Sequence, residues 1–203
     1  MDIFLVSLFS YISGSIPFGL IITKIFRNQD IRKIGSGNIG ATNVLRTGNK
    51  FLATMTLVLD ILKGYLPVII TIRYFPDLIH LSCLLVFLGH IFPAWLNFKG
   101  GKGVATYLGI LFALSLELGL LFIFTWVVVT LIFKYSSISS MFASLTVFIT
   151  VLIKETALES INSKDDLGSD LILILFIFFV LIIFTHRKNV SNLKNNTEEK
   201  IKI

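Results

Sequence analysis

The chain has 203 residues, of which 55% are hydrophobic and only 15% charged, and its mean hydropathy is +0.86. That balance excludes a soluble globular domain and describes a polytopic membrane protein. The formal charge of +6 raises nucleic acid as a partner, but the basic residues gather beside apolar runs, where membrane topology explains them and nucleic acid is rejected.

The first apolar run covers residues 3–24. Asp2 precedes it, no basic segment leads it, and it is too long for the core of a signal peptide, so it reads as a span. Further runs follow at 52–73, 79–97, 103–116, 118–133, 139–154 and 169–185. The stretch 103–133 holds one charge, Glu117. As a single helix it would be about 46 Å long, against a hydrocarbon core of about 30 Å. It is therefore expected to turn near Ser115–Gly119 and form two short helices. The expected fold is all-α: seven transmembrane helices in one domain over 1–190, then a polar tail over 191–203 that frays.

Charge orients this arrangement. With the N-terminus outside, segments 24–50, 98–102, 134–138 and 186–203 face the cytoplasm and hold 14 of the 18 Lys and Arg residues. The outer segments hold eight acids and only Arg73, Lys154 and Lys164. Positive residues belong inside, so both glycine-rich segments and the C-terminal tail are expected on the cytoplasmic face.

The first of those segments runs Gly35-Ser36-Gly37-Asn38-Ile39-Gly40-Ala41-Thr42-Asn43, with Arg46 after it. Glycines let backbone amides turn toward an anion, and arginine adds a charge-assisted hydrogen bond. The pattern reads as an anion nest with a guanidinium clamp. A plain cytoplasmic turn would need neither three glycines nor two asparagines so close together. The segment lacks the lysine of a Walker loop and follows no strand, so no nucleotide or dinucleotide fold is implied.

Asp60 and Lys63 lie inside the second run, three residues apart and on one helical face. A lone lysine at that depth costs about 2.5–3.5 kcal/mol, which pairing offsets in part. The pair either shapes a polar cavity or is purely structural. Cys83 excludes an internal disulfide and a cysteine metal cluster. His80 reads as an interfacial residue.

The second glycine-rich segment spans Gly89-His90-Ile91-Phe92-Pro93 to Phe98-Lys99-Gly100-Gly101-Lys102-Gly103-Val104-Ala105-Thr106. Pro93 is expected to kink the preceding span. The lysines open a helix whose N-terminal amides favour an anion. His90 is either a base or a hydrogen-bonded packing residue. Tyr135, Ser137 and Ser140 form a polar patch that binds substrate or caps a helix. His186, Arg187 and Asn189 are either a third clamp or a stop-transfer cluster. The three histidines lie far apart, so neither a metal site nor a cofactor is expected.

Taken together, these segments resemble the bacterial acyl-phosphate:glycerol-3-phosphate acyltransferase family. The likeness rests on Gly14-Ser15-Ile16-Pro17-Phe18-Gly19, on Gly35–Asn43 with Arg46, on Asp60-Ile61-Leu62-Lys63-Gly64 and on Gly89–Thr106. Tyr135–Ser140 and His186-Arg187-Lys188-Asn189 complete it in family order. The resemblance implies a multi-pass enzyme of the bacterial inner membrane, functional as a monomer, with its site toward the cytoplasm. It implies transfer of a fatty acyl group from acyl phosphate to the 1-hydroxyl of glycerol 3-phosphate, giving lysophosphatidic acid for phospholipid synthesis. Such enzymes lack the His-x-x-x-x-Asp motif of other glycerolipid acyltransferases. Here Leu85, Trp95 and Ser191 stand five residues after the histidines. Two departures are Ser136 and Ile138 in the third motif and Asn192 in place of a tail arginine.

The expected catalytic residues are Ser36, Arg46 and Lys102. The expected substrate contacts are Gly37, Asn38, Gly40, Ala41, Thr42, Asn43, His90, Gly100, Gly101, Ser140, His186 and Asn189. Backbone amides and short side chains of the first loop would hold phosphate, Arg46 and Lys102 would screen two anions from each other, and His186 with Asn189 would close over the glycerol phosphate. The acyl tail would lie between apolar helices, in contact with membrane lipid. The competing reading is a transporter or flippase for a phosphorylated metabolite, which calls for a midplane site open to both faces.

Overall fold

The computed structural model describes residues 1–159 and 167–201, and all regular structure among them is helical. The chain divides into two compact units, Met1–Leu116 and Glu117–Ile203.

The first unit contains α1 (Asp2–Ser15), α2 (Phe18–Arg27), α3 (Ala41–Leu45), α4 (Lys50–Tyr74), α5 (Ile79–Ile91) and α6 (Val104–Leu114). The apolar run 3–24 is not one straight helix, because α1 and α2 are bent by 41° at a break. Pro17 causes it. Its ring disfavours helical backbone at the preceding residue, and Ile16 is extended at φ −66°, ψ 116°. A break within a span frees carbonyls that lipid cannot satisfy. Here the Trp95 indole donates to the Ser15 carbonyl at 2.9 Å and Lys63 Nζ donates to the Ile16 carbonyl at 2.7 Å.

α1 lies along α5, and α4 along α6. Both pairs meet through glycine. A β carbon on Gly14 would overlap the Val86 carbonyl, and one on Gly89 the Tyr11 carbonyl. Gly64 meets the Thr106 carbonyl and Gly109 the Ile61 carbonyl in the same reciprocal way. Small residues let backbones approach where lipid gives helices no hydrophobic reason to associate.

α5 stops at Ile91, and Pro93 precedes a short 3-10 turn at Ala94–Leu96. The proline ends the α-helix where a kink was expected, within a candidate span Pro76–Leu96 that agrees with the expected run 79–97. The stretch 103–133 breaks at Ser115, whose backbone is extended at φ −162°, ψ 129°, inside the turn expected there.

The second unit contains α7 (Leu116–Phe133), α8 (Ser136–Glu159), α9 (Leu167–Thr185) and α10 (Arg187–Lys194). α8 and α9 pack through Phe148, whose ring centroid lies 5.5 Å from that of Phe176 and 6.3 Å from that of Phe179. The tail beyond α10 does not fray as expected. It returns to the turn between α7 and α8, where Ile201 N donates to the Lys134 carbonyl at 2.8 Å and Lys200 Nζ lies 5.7 Å from the Tyr135 ring centroid. Ile201 there lines an apolar groove of about 280 Å³ with Trp126, Val127, Thr130 and Leu131.

Among the described residues, four helices are long and apolar enough to cross a membrane, or up to six if each bent pair forms one span. α6 is apolar but has only 11 residues. Of the outer acidic segment expected before the last span, Lys164, Asp165 and Asp166 lie outside the described residues, as does Lys202 of the tail.

Candidate active site

The first glycine loop sits on a buried apolar cluster. Leu20 and Ile22 of α2, Ile31 and Ile39 of the loop, Val44 of α3, and Leu52 and Ala53 of α4 form it. Asp30 starts the loop. Its Oδ1 accepts from Arg32 N at 3.0 Å, and its carboxylate takes Arg32 Nε at 2.9 Å and Nη2 at 2.6 Å. The Arg32 guanidinium holds the Asp30 carboxyl well below its ordinary value, and Asp30 in turn raises Arg32.

Asn43 closes the loop from inside. It is 2% exposed. Its Nδ2 donates to the carbonyls of Ile31 at 3.1 Å, Ile34 at 2.9 Å and Asn38 at 2.8 Å, and its Oδ1 accepts from Ser36 N at 3.0 Å. Both amide hydrogens are spent on carbonyls of the loop itself. Asn43 therefore builds the loop, where its spacing suggested a direct substrate contact.

The expected anion nest is also altered. Ser36 N is held by Asn43, Gly40 N by Asn38 Oδ1 at 2.9 Å, and Gly37 N by the Ile34 carbonyl at 3.0 Å. These three amides shape the loop and do not face outward. Gly37 has φ 71°, a left-handed backbone that favours glycine. The side chains of Ser36, Thr42 and Arg46 are exposed. Arg46 folds beside Gly35, where an added β carbon would lie 2.9 Å from its Cδ. Ala41 begins α3, and Gly40 is its N-cap.

The second glycine segment folds back on the end of α5. Gly100 N donates to the Ile91 carbonyl and Gly101 N to the His90 carbonyl, both at 3.1 Å. His90, 4% exposed, pairs through Nδ1 with Thr106 Oγ1 at 3.0 Å. Its Nε2 edge lies where a β carbon on Gly101 would sit. His90 thus clamps the segment between α5 and α6, which favours the packing role over that of a base. Lys99 is exposed and Lys102 half-buried. Leu96, from the same connection, packs against the apolar cluster on which the first loop sits.

Asp60 and Lys63 form a buried ion pair at 2.8 Å, with both side chains almost fully shielded. Lys63 reaches the Ile16 carbonyl, and Phe18's ring centroid is 5.6 Å from its Nζ. The pair serves the break in the first span, which favours the structural alternative over a polar cavity.

In the second unit, Ser140 Oγ donates to the Ser136 carbonyl at 2.8 Å and accepts from the Trp126 indole at 3.2 Å. His186 is buried, with Nδ1 2.8 Å from the Ile182 carbonyl. Asn189 Nδ2 donates to Glu198 Oε1 at 2.5 Å. Arg187 stacks over Phe184 at 4.4 Å. Among the described residues, no group of three or more His, Cys, Asp or Glu side chains could hold a metal ion.

Glycine segments of this order, bracketed by Arg46 and Lys102 in an all-helical membrane fold, narrow the family. A family model described as "Glycerol-3-phosphate acyltransferase" matches residues 4–196. The chain belongs to that family. It is 54% identical over 203 residues to the glycerol-3-phosphate acyltransferase of Pelagibacter ubique (strain HTCC1062), covering 100% of both chains. It is 47% identical over 194 residues to that of Brucella anthropi, covering 95% of this chain and 90% of the relative. Among solved structures it resembles PlsY (YgiH), an integral membrane glycerol 3-phosphate acyltransferase. The glycerol 3-phosphate form matches with TM-score 0.89 at 32% identity and the lysophosphatidic acid form with 0.86 at 31%, each covering 100% of this chain and 96% of the other. The chain is thus an acyltransferase of the glycerol-3-phosphate acyltransferase family, built as an integral membrane protein.

Three features of the site escaped the sequence reading. The Lys63 contact with Ile16 joins residues 47 apart in the chain, and the Trp95 contact with Ser15 joins residues 80 apart, so neither has a local signal. Glu198 lies in a polar tail without periodicity, and nothing in its spacing to Asn189 marks it.

Proposed function

We propose that this chain transfers a fatty acyl group from acyl phosphate to the 1-hydroxyl of glycerol 3-phosphate, releasing lysophosphatidic acid and inorganic phosphate. The observation that carries the reading is that the connection carrying Lys102 and the glycine loop followed by exposed Arg46 rest on one apolar cluster, the former through Leu96. Two anionic reactants must meet beside one carbonyl, and fixed cations relieve their repulsion while holding them in line. Ser36, Thr42 and Arg46 contact phosphate from the first loop, and Lys102 contacts it from the second. Gly37, Asn38, Gly40, Ala41 and Asn43 shape the first loop, and His90, Gly100 and Gly101 shape the second. In the second unit, Ser140, His186 and Asn189 are assigned to substrate binding.

The glycerol hydroxyl oxygen attacks the acyl carbonyl carbon, the bond from that carbon to the phosphate oxygen breaks, and the hydroxyl proton passes to the departing phosphate. Acyl phosphate is already activated, so the protein supplies alignment and charge and forms no covalent acyl intermediate. The finer topology proposed is seven spans in one domain over 1–190, the N-terminus outside, the site toward the cytoplasm of the bacterial inner membrane, and a functional monomer. The positive-inside distribution of the loops supports it.

The test is product formation by detergent-purified protein given acyl phosphate or acyl-CoA. Acyl phosphate alone should yield lysophosphatidic acid, and Arg46→Ala should cut the rate by at least about a hundredfold, in line with loss of a charge-assisted transition-state contact. Equal use of acyl-CoA would refute the donor assignment, and near-normal turnover of Arg46→Ala would refute the clamp. A transporter would make no product in detergent.

A further inference from the structure

We infer that Asp60 and Lys63 are positioning residues for the glycine loop 35–43, acting through the break in the first span. The inference rests on the reading that this loop holds substrate phosphate.

The Ile16 carbonyl at the break already accepts from Phe18 N at 3.1 Å, and a neutral side chain could supply a second donor. This chain uses a buried ion pair instead. Burying two charges in an apolar interior gives little net stability over well-packed apolar residues, so stability alone does not account for it. What the pair provides is a fixed geometry. Asp60 holds Lys63 Nζ at 2.8 Å, and the same nitrogen holds the Ile16 carbonyl at 2.7 Å. The Phe18 ring, in the first turn of α2, faces that nitrogen at 5.6 Å. α4 therefore sets the angle at which α2 leaves the break.

α2 is the wall beneath the loop. Gly19 touches the Ile39 carbonyl so closely that no β carbon fits between them. Leu20 and Ile22 share their buried cluster with Ile31, Ile39 and Val44, which flank or belong to the loop. A change in the angle of α2 is passed directly to Ile39, and from there to Asn38 and Gly40 on either side. Ser36 and Arg46 are held to the same frame through Asn43, since Ser36 N bonds Asn43 Oδ1 at 3.0 Å and Arg46 N bonds the Asn43 carbonyl at 3.1 Å. The ion pair itself stays shielded from solvent and need not touch either reactant.

The test compares Asp60→Leu/Lys63→Met with Lys63→Arg and Gly19→Ala in purified full-length protein. The double variant removes both charges and so avoids stranding one of them. Amide hydrogen exchange over residues 36–43 should quicken about tenfold in the double variant and in Gly19→Ala, and stay near wild type in Lys63→Arg. The KM for glycerol 3-phosphate should rise about tenfold in the first two, with kcat within about threefold of wild type. Unchanged loop exchange in Gly19→Ala, or in a folded double variant, would overturn the inference. Faster exchange with unchanged KM would leave the mechanical link standing and refute the substrate role of the loop. A fall in kcat alone, with exchange and KM unmoved, would reduce the pair to a contribution to folded fraction and overturn the inference.

Discussion

The Ser36 amide is bonded to the carboxamide oxygen of Asn43 at 3.0 Å, seven residues further along the chain. That one bond turns the glycine loop back on itself, and the Nδ2 of the same side chain ties in three carbonyls. Asn43→Ala strands the Ser36 amide and the Asn38 carbonyl, since the Ile31 and Ile34 carbonyls also accept from Ile34 N and Gly37 N, at about 1–3 kcal/mol for each group stranded. We expect a loss of about 2–4 kcal/mol in stability, read as thermal unfolding in detergent, and at least a tenfold loss of transfer rate. Asn43→Asp keeps the acceptor, loses the donors and should recover little. A wild-type melting curve for Asn43→Ala would contradict the stapling role.

Gly101 faces the Nε2 edge of His90 with no room for a side chain. Gly101→Ala should therefore displace the segment that carries Lys102 and raise the KM for glycerol 3-phosphate about tenfold or more. Removing the imidazole restores space, so His90→Ala/Gly101→Ala should bind better than Gly101→Ala alone. Strict additivity of the two changes in a double-mutant cycle would show that the clash is not the cause.

Asp30 and Arg32 give a pH signature outside the membrane. The Asp30 carboxyl sits below its ordinary value of 3.8 because Arg32 hydrogen-bonds its charged form. A depressed folded pKa contributes stability above the unfolded value, and that stability is lost as pH falls through the folded one. Asp30→Asn should thus be less stable than wild type at pH 6, by no more than about 1 kcal/mol for so exposed a pair. The gap between the two should narrow steadily as the pH drops below 3.8. A gap that widens on acidification would reverse the assignment.

Glu198 accepts from the Asn189 carboxamide and helps hold the returning tail. Glu198→Ala should lower the melting temperature by a few degrees, the scale of about 1 kcal/mol in a chain of this size. Glu198→Gln retains an acceptor oxygen and should fall between the two. Identical melting of all three proteins would remove the tail from the folded structure.

Much of this molecule could be read in advance because its signals are local. Apolar runs located the helices, Ser115 fell inside the anticipated turn, and the glycine segments near Arg46 and Lys102 stood out by composition. What escaped depends on contacts distant in sequence. Pro17 is visible in the chain, but whether a proline bends a span or divides it depends on which groups satisfy the carbonyls it frees, here Trp95 and Lys63. The internal bonding of the Ser36, Gly37 and Gly40 amides escaped for a related reason. Asn38 and Asn43 read as ligands for an anion, yet short carboxamides bond nearby backbone just as readily, and only the folded loop reveals which they do. The tail looked disordered by composition, yet Glu198, Lys200 and Ile201 each tie it to the fold.

The glycine seams between α1 and α5 and between α4 and α6 carry one more implication. Sliding either helix by a residue would bring a side chain against a carbonyl where now there is only hydrogen. The axial register of these pairs is thereby locked, and the first unit cannot ratchet open along its helices. On the proposed function, the loops that carry Arg46 and Lys102 would take up the movement that phosphate-bearing reactants require, over a frame that keeps its spacing.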